Sequence, residues 1–388
     1  MISNRARQIK PSGTIAVTTK ANEMKKEGID VVSFGAGEPD FDTPENIKKA
    51  AIDAINSGFT KYTASSGIPE LKKAICEKFR NDNGLEYTPA NILVGNGAKQ
   101  CLYDIFQALL NPGDEVIIPV PYWVSYEEQV KLADGVCVFL QAQENFKITA
   151  EQINNAITSK TKALIICSPN NPTGTVYTQE ELEAIAKVCV EKNIYVISDE
   201  IYEKLIYGGQ EPVSIASLNP EIKKLTIIVN GVSKTYAMTG WRIGYCVAPE
   251  DVIKAASALQ DHSTGNPNSI AQKAALEGLT GPQETVAAMK KEFEKRRDYM
   301  IDRLNKMKNI SCQKPDGAFY AFPDVSKTYG NTVHNSLEFC SKLLDEEKVA
   351  IVPGSAFGDD NCVRLSYATS MENIVKGLDR LEAFVNKL

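Results

Sequence analysis

The sequence has few of the residues from which metal centres and disulfide frameworks are built. It contains only two histidines, His262 and His334, which are too few for a histidine-rich metal site. Its nine cysteines stand singly, without a CxxC pair, in apolar contexts such as IICSP and YCVAP. We therefore expect buried, reduced thiols in a reducing compartment and no metal centre.

Long apolar runs and an excess of positive charge are also absent. No stretch approaches the roughly 18 to 20 apolar residues that a membrane span needs, and the N-terminal MISNRARQIKPSG lacks the apolar core of a signal peptide. The formal net charge of -6 argues against binding to nucleic acid or to an anionic membrane surface. The expectation is a cytoplasmic protein that binds small molecules.

What the sequence does have is a repeated alternation of strand-like and helix-like segments. Apolar, β-rich runs alternate with stretches of helical period, which is typical of an α/β fold with a mostly parallel sheet flanked by helices. The segment TQEELEAIAKVCVEKN predicts a crossover helix, because Thr178 and Glu181 form a capping box. The strand-like runs are NILVGN, DEVIIPV, GVCVFL, KALIICS, IYVISDE, LTIIVNG and RIGYCVA.

The character of the chain changes near Glu284. A long, charged amphipathic stretch, QETVAAMKKEFEKRRDYMIDRLNKM, is followed there by shorter strand and helix signals. We expect a large domain over residues 45–283 and a smaller α+β domain formed by residues 1–44 together with 284–388. No linker rich in proline, glycine or serine separates them, so the two parts should share an extensive interface.

Polar residues follow the strand-like runs at their carboxyl ends, where parallel sheets bind ligands. The turn GNGAKQ could present the backbone N–H groups of Gly97 and Ala98 to a phosphate, although a tight turn alone would also need glycine. SPNNPTG offers Asn171 as an amide donor, or is only a rigid turn. YVISDEIY delivers Asp199 and Tyr202, where an N-cap is the alternative for the aspartate.

The run GVSKTYAMTGWRIGY places Lys234 and Arg242, together with Ser233, in apolar surroundings. We expect both charges to be largely buried, and an unpaired buried cation costs roughly several kcal/mol. An anionic or covalent partner should therefore be present. Pyridoxal phosphate would satisfy all the strand-end groups at once, because it combines a dianionic phosphate, an aldehyde that condenses with lysine, a phenolic oxygen and a ring nitrogen.

Along essentially its whole length the chain resembles the fold-type I aminotransferases of the aspartate aminotransferase (class I) family, in particular the bacterial subgroup. The resemblance implies a mostly parallel seven-stranded sheet, a smaller α+β domain, pyridoxal 5'-phosphate as cofactor and a homodimer with shared active sites. The motifs that carry it, in the family's order, are SFGAGEPDF, KYTASSGIPELK, GNGAKQ, PVPYWVSYEE, SPNNPTG, SDEIY, VSKTYAMTGWRIGY and CVRLSYA.

The resemblance also implies a role for each catalytic residue. Lys234 would bind the cofactor covalently and later move a proton, and Asp199 would pair with the pyridinium nitrogen. Tyr202 and Asn171 would donate hydrogen bonds to the phenolic oxygen. Trp123 would stack on the pyridine ring and border the substrate, as Asn171 would; a core tryptophan is the alternative.

The implied phosphate ligands come from several segments of the chain. They are the side chains of Ser233 and Arg242, the backbone of Gly97 and Ala98, and Tyr62 from a partner subunit. The guanidinium of Arg242 would then face the phosphate dianion, which explains a cation in apolar surroundings.

The implied substrate site centres on Arg364 in CVRLSYA. Its guanidinium would bind an α-carboxylate through two parallel hydrogen bonds, assisted by the backbone of Gly37, although a surface arginine on a sheet would show the same pattern. The animal-type enzymes bind the second carboxylate through an arginine, and the matching region DHSTGNPNSIAQKAAL has none. The bacterial subgroup implies Lys99 and Thr14 instead; Lys99 could equally be solvated.

The leading hypothesis is an aminotransferase that moves the amino group between aspartate and 2-oxoglutarate by a ping-pong route. Aromatic, prephenate or neutral amino acid specificity would use the same framework. A pyridoxal-dependent C–S lyase would share the lysine, the aspartate and the phosphate site. A non-catalytic sensor usually needs a DNA-binding module, and nothing basic or resembling a helix-turn-helix precedes the fold.

Overall fold

The structure, a computed structural model, describes residues 2–11, 13–143 and 145–388; the side chains of residues 14–16 lie outside the description. Helices α1 to α14 are Asn4–Gln8, Gly13–Lys26, Glu45–Asn56, Pro69–Asn83, Ala98–Leu109, Ser125–Leu132, Ala150–Ala156, Gln179–Lys192, Pro220–Lys223, Glu250–Ser263, Ser269–Thr280, Glu284–Leu304, Ser336–Glu347 and Met371–Val385. Strands β1 to β12 are Val32–Ser33, Ile92–Gly95, Glu115–Val120, Val136–Gln141, Thr161–Cys167, Tyr195–Asp199, Thr226–Gly231, Gly244–Val247, Tyr320–Ala321, Val349–Ala350, Val352–Pro353 and Val363–Ser366.

A seven-stranded sheet with the order β2-β8-β7-β6-β5-β3-β4 forms the centre of the fold. Strands β4, β3, β5, β6 and β7 run parallel to one another, whereas β8 is antiparallel to both of its neighbours, β7 and β2. The strands coincide with the apolar runs of the sequence. The prediction of a mostly parallel seven-stranded sheet is therefore confirmed.

The continuous apolar character of the inner strands has a simple physical cause. Every residue of β7 is buried, and its successive side chains point to opposite faces of the sheet. Ile227 and Val229 pack into one apolar cluster, and Ile228 packs into another. Because apolar layers cover both faces, these strands cannot alternate apolar with polar residues.

The predicted crossover helix is present as α8, and its first turn has the predicted capping box. The Thr178 hydroxyl accepts a hydrogen bond from the Glu181 backbone at 3.3 Å, and the Glu181 carboxylate accepts one from the Thr178 backbone at 2.8 Å. The helix ends at Asn193 in a left-handed conformation, with φ 54°. It connects β5 to β6, whose carboxyl ends carry Asn171 and Asp199.

The chain after residue 284 forms a three-stranded sheet, and one of its further strands pairs with the N-terminal segment in a separate two-stranded sheet. Strands β11, β12 and β9 are antiparallel, and β1 pairs in parallel with β10. Ala21 and Val31 pack against Leu344 and Ala350 in a small apolar cluster. The N-terminal segment thus packs on elements that are distant in sequence, while the domain boundaries stay a prediction.

Three features bear on the classes of protein considered above. All nine cysteines are free, and all except Cys137 are buried. No helix among the described residues is both long and apolar enough to cross a membrane. Within the same part of the chain, no group of three or more His, Cys, Asp or Glu side chains is arranged to hold a metal ion.

Asp104, on α5, is a buried acid without a hydrogen-bond partner. The residue is fully buried, and neither of its carboxylate oxygens has a partner among the described residues. Burial raises the pKa of Asp104 to about 7. A carboxyl with a higher pKa in the folded state than in the unfolded state binds its proton more tightly when folded. The free energy of unfolding therefore falls as the pH rises from about 4 to 7.

We expect Asp104→Asn to stabilise the protein selectively above neutral pH, because the amide cannot ionise. The free energy of unfolding should exceed that of the wild type by about 1 to 3 kcal/mol at pH 8 and differ little at pH 5. Urea unfolding of both proteins at the two pH values measures this difference. Asp261→Asn, at an exposed position of α10, is the matched control. An equal difference at both pH values would contradict the prediction.

Candidate active site

A cavity of about 410 Å³ opens where the central sheet meets the N-terminal segment and β12. It lies beyond the carboxyl ends of β5, β6 and β7, which is the usual ligand position in such sheets. Most of the residues singled out in the sequence line it: Gly37, Ala98, Lys99, Trp123, Asn171, Asp199, Tyr202, Ser233, Lys234, Arg242 and Arg364.

Lys234 lies in the turn that follows β7, at the bottom of the cavity. Its Nζ donates a hydrogen bond to the carbonyl oxygen of Gly37 at 2.6 Å. Burial lowers the pKa of Lys234 to about 8, and the nearby charges of Arg242 and Arg364 act in the same direction. An amine with such a pKa is available near neutral pH as a nucleophile or as a base.

Asp199 ends β6 and faces the same cavity. Its Oδ2 accepts a hydrogen bond from the Tyr126 hydroxyl at 2.7 Å, and its Oδ1 accepts one from the Ile201 backbone N–H at 3.3 Å. Burial nevertheless raises the pKa of Asp199. A cationic ring N–H placed beside the carboxylate would reverse this shift, so the site suits a protonated pyridine nitrogen.

Two further polar side chains, Tyr202 and Asn171, line the cavity. Both are buried, and burial holds the pKa of Tyr202 well above its usual range, so the phenol keeps its proton. Asn171 Oδ1 accepts a hydrogen bond from Arg364 at 3.0 Å. The amide N–H groups of Asn171 therefore remain to donate to a ligand, and Tyr202 can donate a second hydrogen bond.

The turn before α5 and the residues around Arg242 form a candidate anion site. Gly97 has φ 87°, and a Cβ there would lie 2.4 Å from an Arg242 terminal nitrogen, so the turn requires glycine. α5 begins at Ala98, and a helix N-terminus favours an anion. Buried Ser233 adds a hydroxyl to the wall of the cavity.

The expectation that Arg242 is largely buried is wrong. Arg242 is exposed, and it has a left-handed backbone with φ 56° at the end of a short 3-10 turn. Its guanidinium donates to the carbonyl oxygens of Thr239 at 2.8 Å and Asn96 at 3.4 Å. Its neighbour Ile243 is buried in the core, while the exposed Arg242 lines the cavity and bonds to backbone carbonyl groups. Lys234 is half-buried.

The N-terminal segment fixes the loop that carries Arg242, a contact that the sequence did not reveal. The Thr43 hydroxyl donates to the carbonyl oxygen of Ala237 at 2.7 Å and accepts from Trp241 Nε1 at 2.9 Å. The Thr239 hydroxyl donates to the Glu38 carboxylate at 2.7 Å. The anion site therefore depends on residues about 200 positions away in the chain.

Arg364 is a buried cation whose hydrogen bonds go to uncharged groups. One terminal nitrogen donates to Asn171 and the other to the carbonyl oxygen of Gly35, at 3.0 and 2.9 Å. Its guanidinium lies 4.5 Å from the ring centre of Tyr320 and 5.0 Å from that of Phe357. Burial lowers the pKa of Arg364. A ligand carboxylate would supply the missing anionic charge.

Lys99 and Trp123 form one wall of the cavity. The Lys99 ammonium lies 4.9 Å from the centre of the Trp123 ring, and the Trp123 ring meets that of Tyr126 edge to face. Lys99 is exposed at the rim while it lines the cavity. A cation at this place can meet an anionic group of a ligand in the same cavity as Arg364.

Two of the predicted residues, Tyr62 and Gly97, are not among those that line the cavity. Tyr62 is 97% exposed, and Gly97 contributes through its contact with Arg242. The side chain of Thr14 lies outside the described residues, and Thr18 and Thr19 of α2 line the cavity.

Tyr126, Tyr320 and Gly35 were missed by the sequence reasoning. Gly35, rather than Gly37, holds Arg364 through its carbonyl oxygen. Tyr126 lies within the motif PVPYWVSYEE, and Gly35 lies within SFGAGEPDF. Tyr320 lies in the chain after α12, outside all the quoted motifs.

The comparison with known proteins agrees with this geometry. Residues 29–381 match the model of the family described as aminotransferase class I and II. An aspartate aminotransferase of Bacillus sp. strain YM-2 is 55% identical over 99% of both chains. An aspartate/prephenate aminotransferase of Cereibacter sphaeroides is 49% identical over 99% of this chain and 98% of its own. The aspartate aminotransferase of Thermus thermophilus, solved with maleate, has a TM-score of 0.94 at 45% identity over 99% of each chain.

A sheet of this order, with a lysine at the bottom of an anion-binding cavity, is the architecture of the fold-type I pyridoxal-phosphate-dependent transferases. Within that class, the chain belongs to the class I and II aminotransferases. It is a pyridoxal-phosphate-dependent transaminase, so the predictions of cofactor and enzyme class are confirmed.

Proposed function

We propose that this transaminase moves the amino group between aspartate and 2-oxoglutarate in two half-reactions. The observation that carries the proposal is the buried guanidinium of Arg364, which has only uncharged hydrogen-bond partners and shares a cavity with Lys234. Amino acids and 2-oxo acids both present a carboxylate to such a group. The names of the relatives support aspartate as the amino donor.

The cofactor, when bound, supplies an electron sink for the substrate carbon that loses its proton. Lys234 holds the cofactor, and its amine takes and returns that proton, for which a pKa of about 8 is suitable. Asp199 holds a proton on the ring nitrogen. Tyr202 and Asn171 donate to the phenolic oxygen, and Trp123 covers the ring and excludes water.

The phosphate is held by groups at the other end of the cavity. The hydroxyl of Ser233, the guanidinium of Arg242 and the backbone N–H groups of Gly97 and Ala98 are the donors from this chain. Tyr62 of the partner subunit completes the set in a homodimer, and its 97% exposure in a single chain leaves it accessible for that contact.

The enzyme works in the cytoplasm.

Arg364 orients the substrate through its α-carboxylate, beside the backbone of Gly37. Lys99 and Thr14 bind the second carboxylate of aspartate; the place of Lys99 beside Trp123, in the cavity that Arg364 also lines, supports its part in this role. An aspartate/prephenate specificity is the second candidate, because a relative at 49% identity carries that name.

Residues 45–283 form the large domain, and residues 1–44 with 284–388 form the small one.

A panel of amino donors assayed with 2-oxoglutarate tests the proposed function. We expect the highest kcat/KM for aspartate, with parallel lines in double-reciprocal plots, as ping-pong transfer requires. Lys234→Ala should lose the visible absorbance of the bound cofactor and all turnover, whereas Lys187→Ala, at an exposed position of α8, should retain both. Release of ammonia and pyruvate from a single substrate would instead indicate a lyase.

Arg364→Lys tests the carboxylate site. The ammonium keeps the charge but loses the planar fork, so we expect kcat/KM for aspartate to fall about 100-fold while the cofactor absorbance is retained. Arg380→Lys, at a surface ion pair of α14 with Asp30, is the matched control and should behave as the wild type. An unchanged kcat/KM in the Arg364 variant would remove this residue from the site.

Mixing of two inactive or weakened variants tests the shared site. If Tyr62 reaches the cofactor of the partner subunit, a hybrid of Tyr62→Phe with Lys234→Ala contains one intact site. After dissociation and random reassociation of equal amounts, about a quarter of all sites should be intact. Activity should therefore rise above the mean of the two variants measured separately at the same total protein concentration. The absence of any gain in verified hybrids would place Tyr62 in its own subunit's site or outside both.

A further inference from the structure

Tyr320, which the sequence did not single out, lies between the two ends of the proposed reaction site. Its hydroxyl oxygen is 2.9 Å from that of Tyr202, and its ring centre is 4.5 Å from the guanidinium of Arg364. Tyr320 is 1% exposed and lines the cavity. One side chain therefore contacts both the proposed ligand of the phenolic oxygen and the proposed ligand of the substrate carboxylate.

The position of Tyr320 is fixed by the small antiparallel sheet. It lies in β9, opposite Ser366 of β12, two residues from Arg364 on the same strand. Its ring meets the Tyr202 ring edge to face, with centres 5.8 Å apart. A Cβ at Gly37 would lie 3.2 Å from the Tyr320 hydroxyl, so the backbone of Gly37 closes that side. The hydroxyl has little room to move.

If Tyr202 donates a hydrogen bond to a ligand, only one direction is possible for the hydrogen bond between the two hydroxyl groups. Either tyrosine could be the donor in the Tyr202–Tyr320 contact. Tyr202 has a single proton, and if it donates that proton to the phenolic oxygen of the cofactor, its oxygen can only accept from Tyr320. Hydrogen bonds in such a chain polarise one another in a buried site.

We propose that Tyr320 is a positioning residue: its hydroxyl donates to Tyr202 and so directs the Tyr202 proton to the phenolic oxygen, while its ring supports the guanidinium of Arg364. This inference rests on the proposed function, specifically on the role of Tyr202. Tyr320 is then the one side chain that contacts both the proposed ligand of the substrate carboxylate and the proposed ligand of the phenolic oxygen.

The test is a pH titration of the visible absorbance of the holoenzyme. Tyr320→Phe removes the hydroxyl and keeps the ring. Without the directing hydrogen bond, the phenolic oxygen is stabilised less in its deprotonated form, so the titration midpoint should rise by about half a unit to one unit. We expect kcat to fall about 3- to 10-fold and KM for the amino donor to stay within about twofold.

A double-mutant cycle separates an action through Tyr202 from an independent effect. Tyr202→Phe should raise the midpoint further than Tyr320→Phe does, and Tyr202→Phe/Tyr320→Phe should titrate as Tyr202→Phe alone. Tyr320→Leu also removes the ring and should add about a 10-fold rise in KM for the amino donor. This second variant tests the ring independently of the hydroxyl.

Tyr367→Phe is the matched control. Tyr367 is fully buried in the same region and donates to the carbonyl oxygen of Ala318 at 3.3 Å, but it is not among the residues that line the cavity. A loss of packing or of a buried hydrogen bond would lower thermal stability in either variant. Of these two variants, only Tyr320→Phe should shift the midpoint of the absorbance titration.

The outcomes distinguish the inference from the function on which it rests. A shifted midpoint in Tyr202→Phe with an unchanged one in Tyr320→Phe overturns the inference and leaves the proposed function intact. An additive shift in the double variant overturns the action through Tyr202. An unchanged midpoint in Tyr202→Phe overturns both the assignment of Tyr202 and the inference.

Discussion

The cavity holds three ionisable groups, two buried and one half-buried, whose hydrogen bonds go to neutral partners. Lys234 donates to a carbonyl oxygen, Asp199 accepts from a phenol and a backbone N–H, and Arg364 donates to an amide and a carbonyl. Direct ion pairing would neutralise these groups and leave nothing for a ligand. Neutral partners keep each charge in place, and burial shifts the pKa of each in the direction that an incoming charge reverses.

The topology explains how such groups come together. Parallel strands deliver their last residues to one edge of the sheet, which brings Asp199 and Lys234 to the same side. Arg364, the proposed cation for the carboxylate, comes from β12 of the smaller sheet, and the N-terminal segment contributes Gly35 and Gly37, which bond to Arg364 and Lys234. The reaction site therefore lies between two parts of the chain that fold around different sheets.

Much of this arrangement could be predicted from local sequence. The strands are continuous apolar runs because both faces of the sheet are covered, and polar residues follow several of them where the chain lines the cavity. Tyr126 and Tyr320 escaped prediction because their partners are 73 and 118 residues away, on elements whose approach no local pattern encodes. The exposure of Arg242 was misjudged for a related reason. Its neighbours in sequence are apolar, but a left-handed residue turns its side chain away from them.

The segment from Gly35 to Thr43 has a consequence for the design of new specificities. It holds Arg364 through Gly35, Lys234 through Gly37 and the loop of Arg242 through Glu38 and Thr43. A designer who grafts this stretch from a relative in order to alter substrate choice would also disturb retention of the vitamin-derived group. A change in this segment alters the contacts to all three groups together. Variants selected for a new substrate should therefore also be tested for cofactor binding.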